Sequence, residues 1–216
     1  MDKRTAQIID LLKKEYPKAK TALNFKTPLD ILVATILSAQ CTDKRVNMVT
    51  ESLFKKYKTA QDYAKANPAK FEQEIRSTGF YKNKTKSIIA AAKAIVEKYN
   101  GKVPDTMEEL ITLSGVARKT ATVVLFNVFH KIEGITVDTH VIRLSQRLGL
   151  SKNTDAVKIE QDLIKIIPKP LWGKFAYWLI EHGRNICIAK KPLCPQCKLC
   201  KLCPSYDFFI KKFYRT

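Results

Sequence analysis

The sequence predicts an all-α fold. Apolar residues recur at helical spacing, start and stop signals bracket nearly every apolar segment, and no stretch sustains period-two alternation between hairpin turns. In chain order, residues 1–20 mix Asp2, Lys3, Arg4, Asp10 and Glu15 with apolar positions. Thr27 is placed to cap a helix with Pro28 at its first position, where the missing N–H costs nothing, and Ile31, Ala34, Ile36, Leu37 and Ser38 follow as a nearly all-round buried helix. Asn67 and Pro68 repeat the device. Ile88, Ile89, Ala92, Ile95, Val96 and Tyr99 keep helical spacing until Gly101. Thr106-Met107-Glu108-Glu109 has the form of a capping box. An apolar helix then runs through Val123, Val124, Leu125 and Val128, and Asp138 stands where it can cap a helix from Val141 to Leu148. Thr154 opens a helix through Ile159, Leu163, Ile166 and Ile167 that Pro168 stops.

With 216 residues, 45% of them hydrophobic, 27% charged, and only 7 Gly and 9 Pro, the chain has the composition of one large or two small globular domains. Collagen-like, low-complexity and wholly disordered classes are excluded. No apolar run approaches the roughly 18 residues of a membrane span, and no leader-like apolar stretch with a small-residue cleavage site opens the chain, so a cytoplasmic protein without membrane contact is expected, nucleoid-associated if prokaryotic. Without a Gly/Ser linker or a repeat, any domain boundary is a packed one, and the seam falls near His130 to Thr136, where a helix ends and Gly134 permits a turn. Lys and Arg total 39 against 20 Asp and Glu, a formal charge of +19 that exceeds what solubility needs. Nucleic acid is the partner such a charge favours, against the plainer alternative of many solvated lysines.

Five of the six cysteines fall between Cys187 and Cys203, too crowded to staple distant segments, which points to a metal. The spacing reads either as Cys194, Cys197, Cys200 and Cys203, or as Cys187, Cys194, Cys197 and Cys203 with Cys200 left over. Zinc accepts four thiolates, but a tight run ending in Cys203-Pro204 is closer to iron–sulfur ligation. Cys41, alone after an apolar helix, reads as a buried small hydrophobe. Lys190, Lys191 and Pro192 lie in the cysteine loop, with Arg184 before it, and either present cations to phosphates or are simply exposed.

Leu113-Ser114-Gly115-Val116-Ala117-Arg118-Lys119-Thr120-Ala121 sets a glycine turn between two helices, the layout of a helix-hairpin-helix. Free backbone N–H groups at such a turn and at the start of its second helix can hold a phosphate without reading sequence. A carboxylate at a helix N-terminus, as at Asp138, is stabilised in its ionised form. Taken singly, Asp138 is a cap, Lys119 one lysine among many, and His140 a structural hydrogen bonder.

Taken together, residues 113–121, then Val137-Asp138-Thr139-His140, then the Cys-x6-Cys-x2-Cys-x5-Cys spacing resemble the endonuclease III family. The resemblance runs along nearly the whole chain and includes Leu37-Ser38-Ala39-Gln40 with Thr42-Asp43, and Gly79-Phe80-Tyr81. It implies a two-domain all-α fold: a six-helix barrel domain over residues 21–132 with its hairpin at 113–119, and a cluster domain made from 1–20 with 133–216, the active site in the cleft between them. It implies a monomer that acts on damaged double-stranded DNA, with a [4Fe–4S] cluster on Cys187, Cys194, Cys197 and Cys203. Lys119 becomes the nucleophile that attacks the sugar C1′, expels an oxidised pyrimidine and allows β-elimination through a Schiff base; Asp138 assists its deprotonation and the charge on the sugar. A lysine of ordinary pKa is neutral in roughly one molecule in 2,500 at pH 7, so burial, a nearby cation such as Arg118, or a proton acceptor has to help. Gln40 enters the space left by the extruded base and Phe80 wedges the opposite strand. Gly115, Ala117, Arg118, His140, Arg184, Lys190 and Lys191 complete the DNA contacts. The rival expectations are a monofunctional mismatch glycosylase on the same scaffold and a non-catalytic DNA-binding iron–sulfur module. Three positions depart from the family pattern: Ser114 and Ala117, where Pro and a second Gly are common, and Thr78, often a larger apolar residue. A positive φ at Ala117 would carry a strain of order 1 kcal/mol.

Overall fold

The computed structural model describes residues 2–214, and among them every regular element is helical. The helices are α1 (Lys3–Glu15), α2 (Pro28–Leu37), α3 (Asp43–Lys56), α4 (Ala60–Ala64), α5 (Pro68–Ile75), α6 (Tyr81–Tyr99), α7 (Met107–Leu110), α8 (Arg118–Val128), α9 (Thr139–Arg147), α10 (Ala156–Ile166), α11 (Trp172–Asn185) and α12 (Tyr206–Phe213). None is long and apolar enough to cross a membrane. Contacts divide the chain into two compact units, Thr21–Glu133 and the segment up to Lys20 joined with that from Gly134 onward.

The caps explain most helix starts. Asp2, Thr27, Thr42, Thr59, Asn67, Thr106, Asp138 and Asp155 each accept a backbone N–H of the first turn through a side-chain oxygen. At Thr27 the box closes, because the buried Asp30 carboxylate accepts the N–H groups of Lys26 and Thr27 at 2.9 and 3.0 Å. Thr106 differs from its expected box: its hydroxyl donates to the Glu109 carboxylate at 2.8 Å, so that carboxylate is spent on the side chain and not on the Thr106 backbone. The helix expected to open at Thr154 starts instead from Asp155, whose ionised oxygen is the stronger acceptor for Lys158 N–H at 3.0 Å. The left-handed residue after α8 is His130, at φ 56°, and not Gly134.

The first unit packs α2 at its centre. Ile31, Leu32, Ala34 and Leu37 of α2 are buried, as are Ile88 and Ile95 of α6 and Val124 and Leu125 of α8. Tyr57, Tyr63 and Phe71 close one side as an aromatic group with centroids 5.0–6.0 Å apart. In the second unit, α9 and α11 pack through Val141, Leu144, Phe175 and Leu179, and α1 adds Ile8 and Leu12.

Candidate functional site

In the first unit, the hairpin joins α7 to α8. Leu113 and Val116 are buried and pin it to the core, while Ser114, Gly115, Ala117, Arg118 and Lys119 are exposed. Gly115 sits at φ 77°, and a Cβ there would lie 2.7 Å from the Cβ of Ser87 on α6, so both backbone and space require glycine. Gly115→Ala should therefore destabilise the protein by about 2–3 kcal/mol, lowering the melting temperature by roughly 5–10 °C, with weaker binding to duplex DNA. A calorimetric scan and a binding titration read both; an unchanged melting temperature would contradict the close approach. Ala117 is extended at φ −86°, ψ 170°, so the strain expected of a positive φ does not arise.

Ala117 is the N-cap of α8 and has no side-chain oxygen, so the first amides of α8 are left without a side-chain acceptor. Lys119 stands exposed in that first turn, and Arg118 reaches the Glu133 carbonyl at 3.0 Å. Two further candidates share this unit. Gln40 and Phe80 are both exposed, Phe80 to 60%, and both adopt left-handed backbone at φ 53° and 48°. Phe80 is thus no core aromatic. Cys41 is half-buried against the core, short of the full burial expected, because its thiol lies at the turn after α2.

In the second unit, Asp138 caps α9. Its Oδ1 accepts the N–H groups of His140 and Val141, each at 2.8 Å, and its Oδ2 lies 3.0 Å from His140 Nδ1. The helix begins at Thr139, two residues before the expected start, because the cap is taken up this early. His140 thereby orients the carboxylate. The Asp138 side chain keeps 21% of its surface open.

Two arginines farther along α9 grip the cysteine loop. Arg143 donates to the carbonyls of Cys187 and Gly183 at 3.2 and 3.0 Å. Arg147 donates to Ile188 and Ala189 carbonyls at 2.9 and 2.8 Å, faces Cys187 Sγ at 3.4 Å, and lies under the Phe209 ring at 4.5 Å. Lys190 and Lys191 are exposed on that loop, Lys191 over the Tyr214 ring, whose hydroxyl donates to the Pro192 carbonyl at 2.9 Å. Arg184 pairs with Glu181 at 3.5 Å.

Cys187, Cys194, Cys197, Cys200 and Cys203 line one cavity together with Arg147, His182, Tyr206 and Phe209. Among the described residues no group of three or more donors is gathered closely enough to hold a metal ion, and the thiols stand around the cavity. Burial pushes the Cys197 thiol up to about 12, with its cysteine neighbours adding to the rise and the Leu199 N–H opposing it. Burial likewise raises Cys194 and Cys203. Thiols raised in this way keep their protons until a cationic centre displaces them, and it is their gathering around one cavity that makes the donor set fit a metal cluster. His182, buried and lowered to about 4 by desolvation, stays neutral and bridges Cys197 Sγ at 3.5 Å and the Tyr16 hydroxyl at 3.0 Å. Sequence reasoning missed Arg147 and His182; the one signal for His182 was a lone histidine two residues after the apolar run 175–180 of α11.

Comparison with known proteins agrees with this arrangement. Residues 33–169 match the model of the HhH-GPD superfamily base excision DNA repair protein. The chain is 55% identical over 202 residues to endonuclease III of Synechocystis sp., covering 94% of this chain and 92% of that one. It is 42% identical over 189 residues to endonuclease III of Bacillus subtilis, covering 87% and 86%. Among solved structures it resembles a non-covalent endonuclease III–DNA complex (TM-score 0.92, 40% identity, 98% of this chain and 100% of that one). It also resembles a trapped endonuclease III–DNA covalent intermediate (TM-score 0.90, 41% identity, 100% of both). The uncapped hairpin helix with its lysine, the capping aspartate and the thiol-lined cavity are thus carried by a chain that belongs to the endonuclease III family, within the HhH-GPD superfamily of base excision DNA repair proteins.

Proposed function

We propose that this protein is a bifunctional DNA glycosylase and abasic-site lyase that removes oxidised pyrimidines from duplex DNA. The observation that carries the reading is Lys119, held exposed in the first turn of a helix with no side-chain cap, in a chain 41% identical to one captured as a covalent intermediate with DNA. The amides of Gly115 and of the start of α8 hold a backbone phosphate, and Arg118 adds charge beside it. The Lys119 amine attacks C1′ as the base departs with its electron pair and a proton. The C1′–O4′ bond then opens, its electron pair leaving on O4′ with a proton, and gives an iminium between Nζ and C1′; this acidifies the 2′ position, and loss of that proton expels the 3′ phosphate.

Asp138, oriented by its two amide contacts and His140, stabilises the positive charge that develops on the sugar and receives the proton of the attacking amine. Gln40 and Phe80 fill the stack from which the base has left. Arg184, Lys190 and Lys191 supply cations to the flanking phosphates. Cys187, Cys194, Cys197 and Cys203 would hold a [4Fe–4S] cluster, which when bound ties the loop between them into one rigid piece. The protein works as a monomer.

The test is an assay on a duplex carrying one oxidised pyrimidine. Base release, a nick on the 3′ side and a borohydride-stable protein–DNA crosslink are expected together. Release without a nick would point to a monofunctional glycosylase, and binding with neither to a DNA-binding module.

A further inference from the structure

Lys84 is a buried charged group of the first unit that the proposed reaction does not use. It lies on α6, is only 5% exposed, and its Nζ donates to the carbonyl of Leu37 at 2.7 Å and to that of Thr78 at 2.8 Å. An ammonium is costly to bury unless hydrogen bonds replace its water, and burial pulls its pKa down. The two carbonyls supply those bonds, and each needs a donor. Leu37 ends α2, and the Cys41 N–H that might have reached its carbonyl turns to Ser38 O at 3.1 Å. Thr78 ends the 3₁₀ turn Arg76–Thr78, after which Gly79 N–H bonds Arg76 O at 3.3 Å.

The positions beyond these carbonyls share an unusual conformation. Three residues after Leu37 stands Gln40, and two after Thr78 stands Phe80, both exposed and both left-handed without being glycine. Such backbone costs of order 1 kcal/mol per residue and persists only where its surroundings hold it. The Phe80 loop is held twice from α6, since the Lys84 backbone N–H also donates to Phe80 O at 3.0 Å. Gly79, at φ 71° and with no atom within 4 Å of a Cβ, offers no packing to fix it.

We propose that Lys84 is the positioning residue that sets the spacing between Gln40 and Phe80, its single ammonium tying both loops so that the two side chains enter the duplex together. This rests on the reading that Gln40 and Phe80 enter the stack. Lys84→Met keeps most of the aliphatic volume but leaves both carbonyls without a donor, which frees each loop from the other.

The experiment is a double-mutant cycle read by stopped-flow fluorescence of 2-aminopurine placed opposite a tetrahydrofuran abasic-site analogue. Lys84→Met should slow the opening phase about 10-fold, the scale of a small misplacement at a working site, while affinity for undamaged duplex changes less than about 2-fold. In the background carrying Gln40→Ala and Phe80→Ala, where opening is already slow, Lys84→Met should add less than about 2-fold. Lys84→Gln, which keeps amide donors, should recover part of the rate and serves in the same cycle if the methionine variant does not fold. An equal factor in both backgrounds would overturn the proposal and leave Lys84 a stabilising residue only. Unchanged opening in the Gln40→Ala, Phe80→Ala protein would instead overturn the insertion reading itself, and the proposal with it.

Discussion

Lys119→Ala is expected to abolish borohydride trapping and to reduce strand cleavage by about four orders of magnitude or more, the scale seen when one member of a catalytic group is removed. The reason is covalent: only an amine can form the iminium that borohydride reduces and that acidifies the sugar for elimination. Most DNA affinity should survive, because the hairpin grips phosphate through backbone amides that the substitution leaves in place, and Arg118 keeps its bond to Glu133. The core is untouched as well, since Lys119 is exposed while the neighbouring Ala121 and Val124 carry the packing of α8. Gel analysis of trapped complexes beside a binding titration separates the two effects. Full trapping by Lys119→Ala would move the nucleophile to another amine, the N-terminus first, and the role given to Lys119 would fall.

The fold was legible because its signals are local. Thr27-Pro28, Asn67-Pro68 and Asp138 are cap chemistry written within four residues, and the structure uses each of them. Where two acceptors stood side by side, as at Thr154 and Asp155, sequence pattern chose the hydroxyl and the geometry chose the carboxylate. Hairpin and cysteines were equally visible, since their spacing is their function. What stayed hidden was long-range: Arg147 lies 40 residues before Cys187, and nothing near it in sequence says that its guanidinium will thread the cysteine loop and stack on Phe209. Lys84 was invisible for the opposite reason. In a chain with 39 basic residues one more lysine reads as surface, and only burial against two orphan carbonyls reveals it.

The cysteines give the second large expected effect and decide between the two spacings. Cys197→Ser should yield colourless protein with loss of iron and a melting temperature lower by 10 °C or more, since metal binding is folding free energy where the site closes a loop. The parts at stake are those around the cavity: Tyr206 and Phe209 of α12 line it, and Arg147 and His182 reach into it from α9 and α11. The alternative ligand sets differ only in Cys187 and Cys200. Arg147 faces Cys187 Sγ at 3.4 Å, a charged donor of the kind that stabilises a ligating sulfur, and its other bonds fix the backbone just after Cys187. Cys200 lines the same cavity but shows no side-chain hydrogen bond among the described residues. Cys200→Ser should therefore keep the yellow-brown absorbance, about four irons per chain, and a melting temperature within about 2 °C of the parent, as a surface-like change does. Cys187→Ser should behave like Cys197→Ser. If the pattern reverses, with Cys200→Ser bleaching the protein and Cys187→Ser sparing it, the ligands are the evenly spaced run from Cys194 to Cys203. Arg147 would then be an anchor of the loop backbone alone. Stoichiometric zinc in place of iron would reject both sets as cluster ligands.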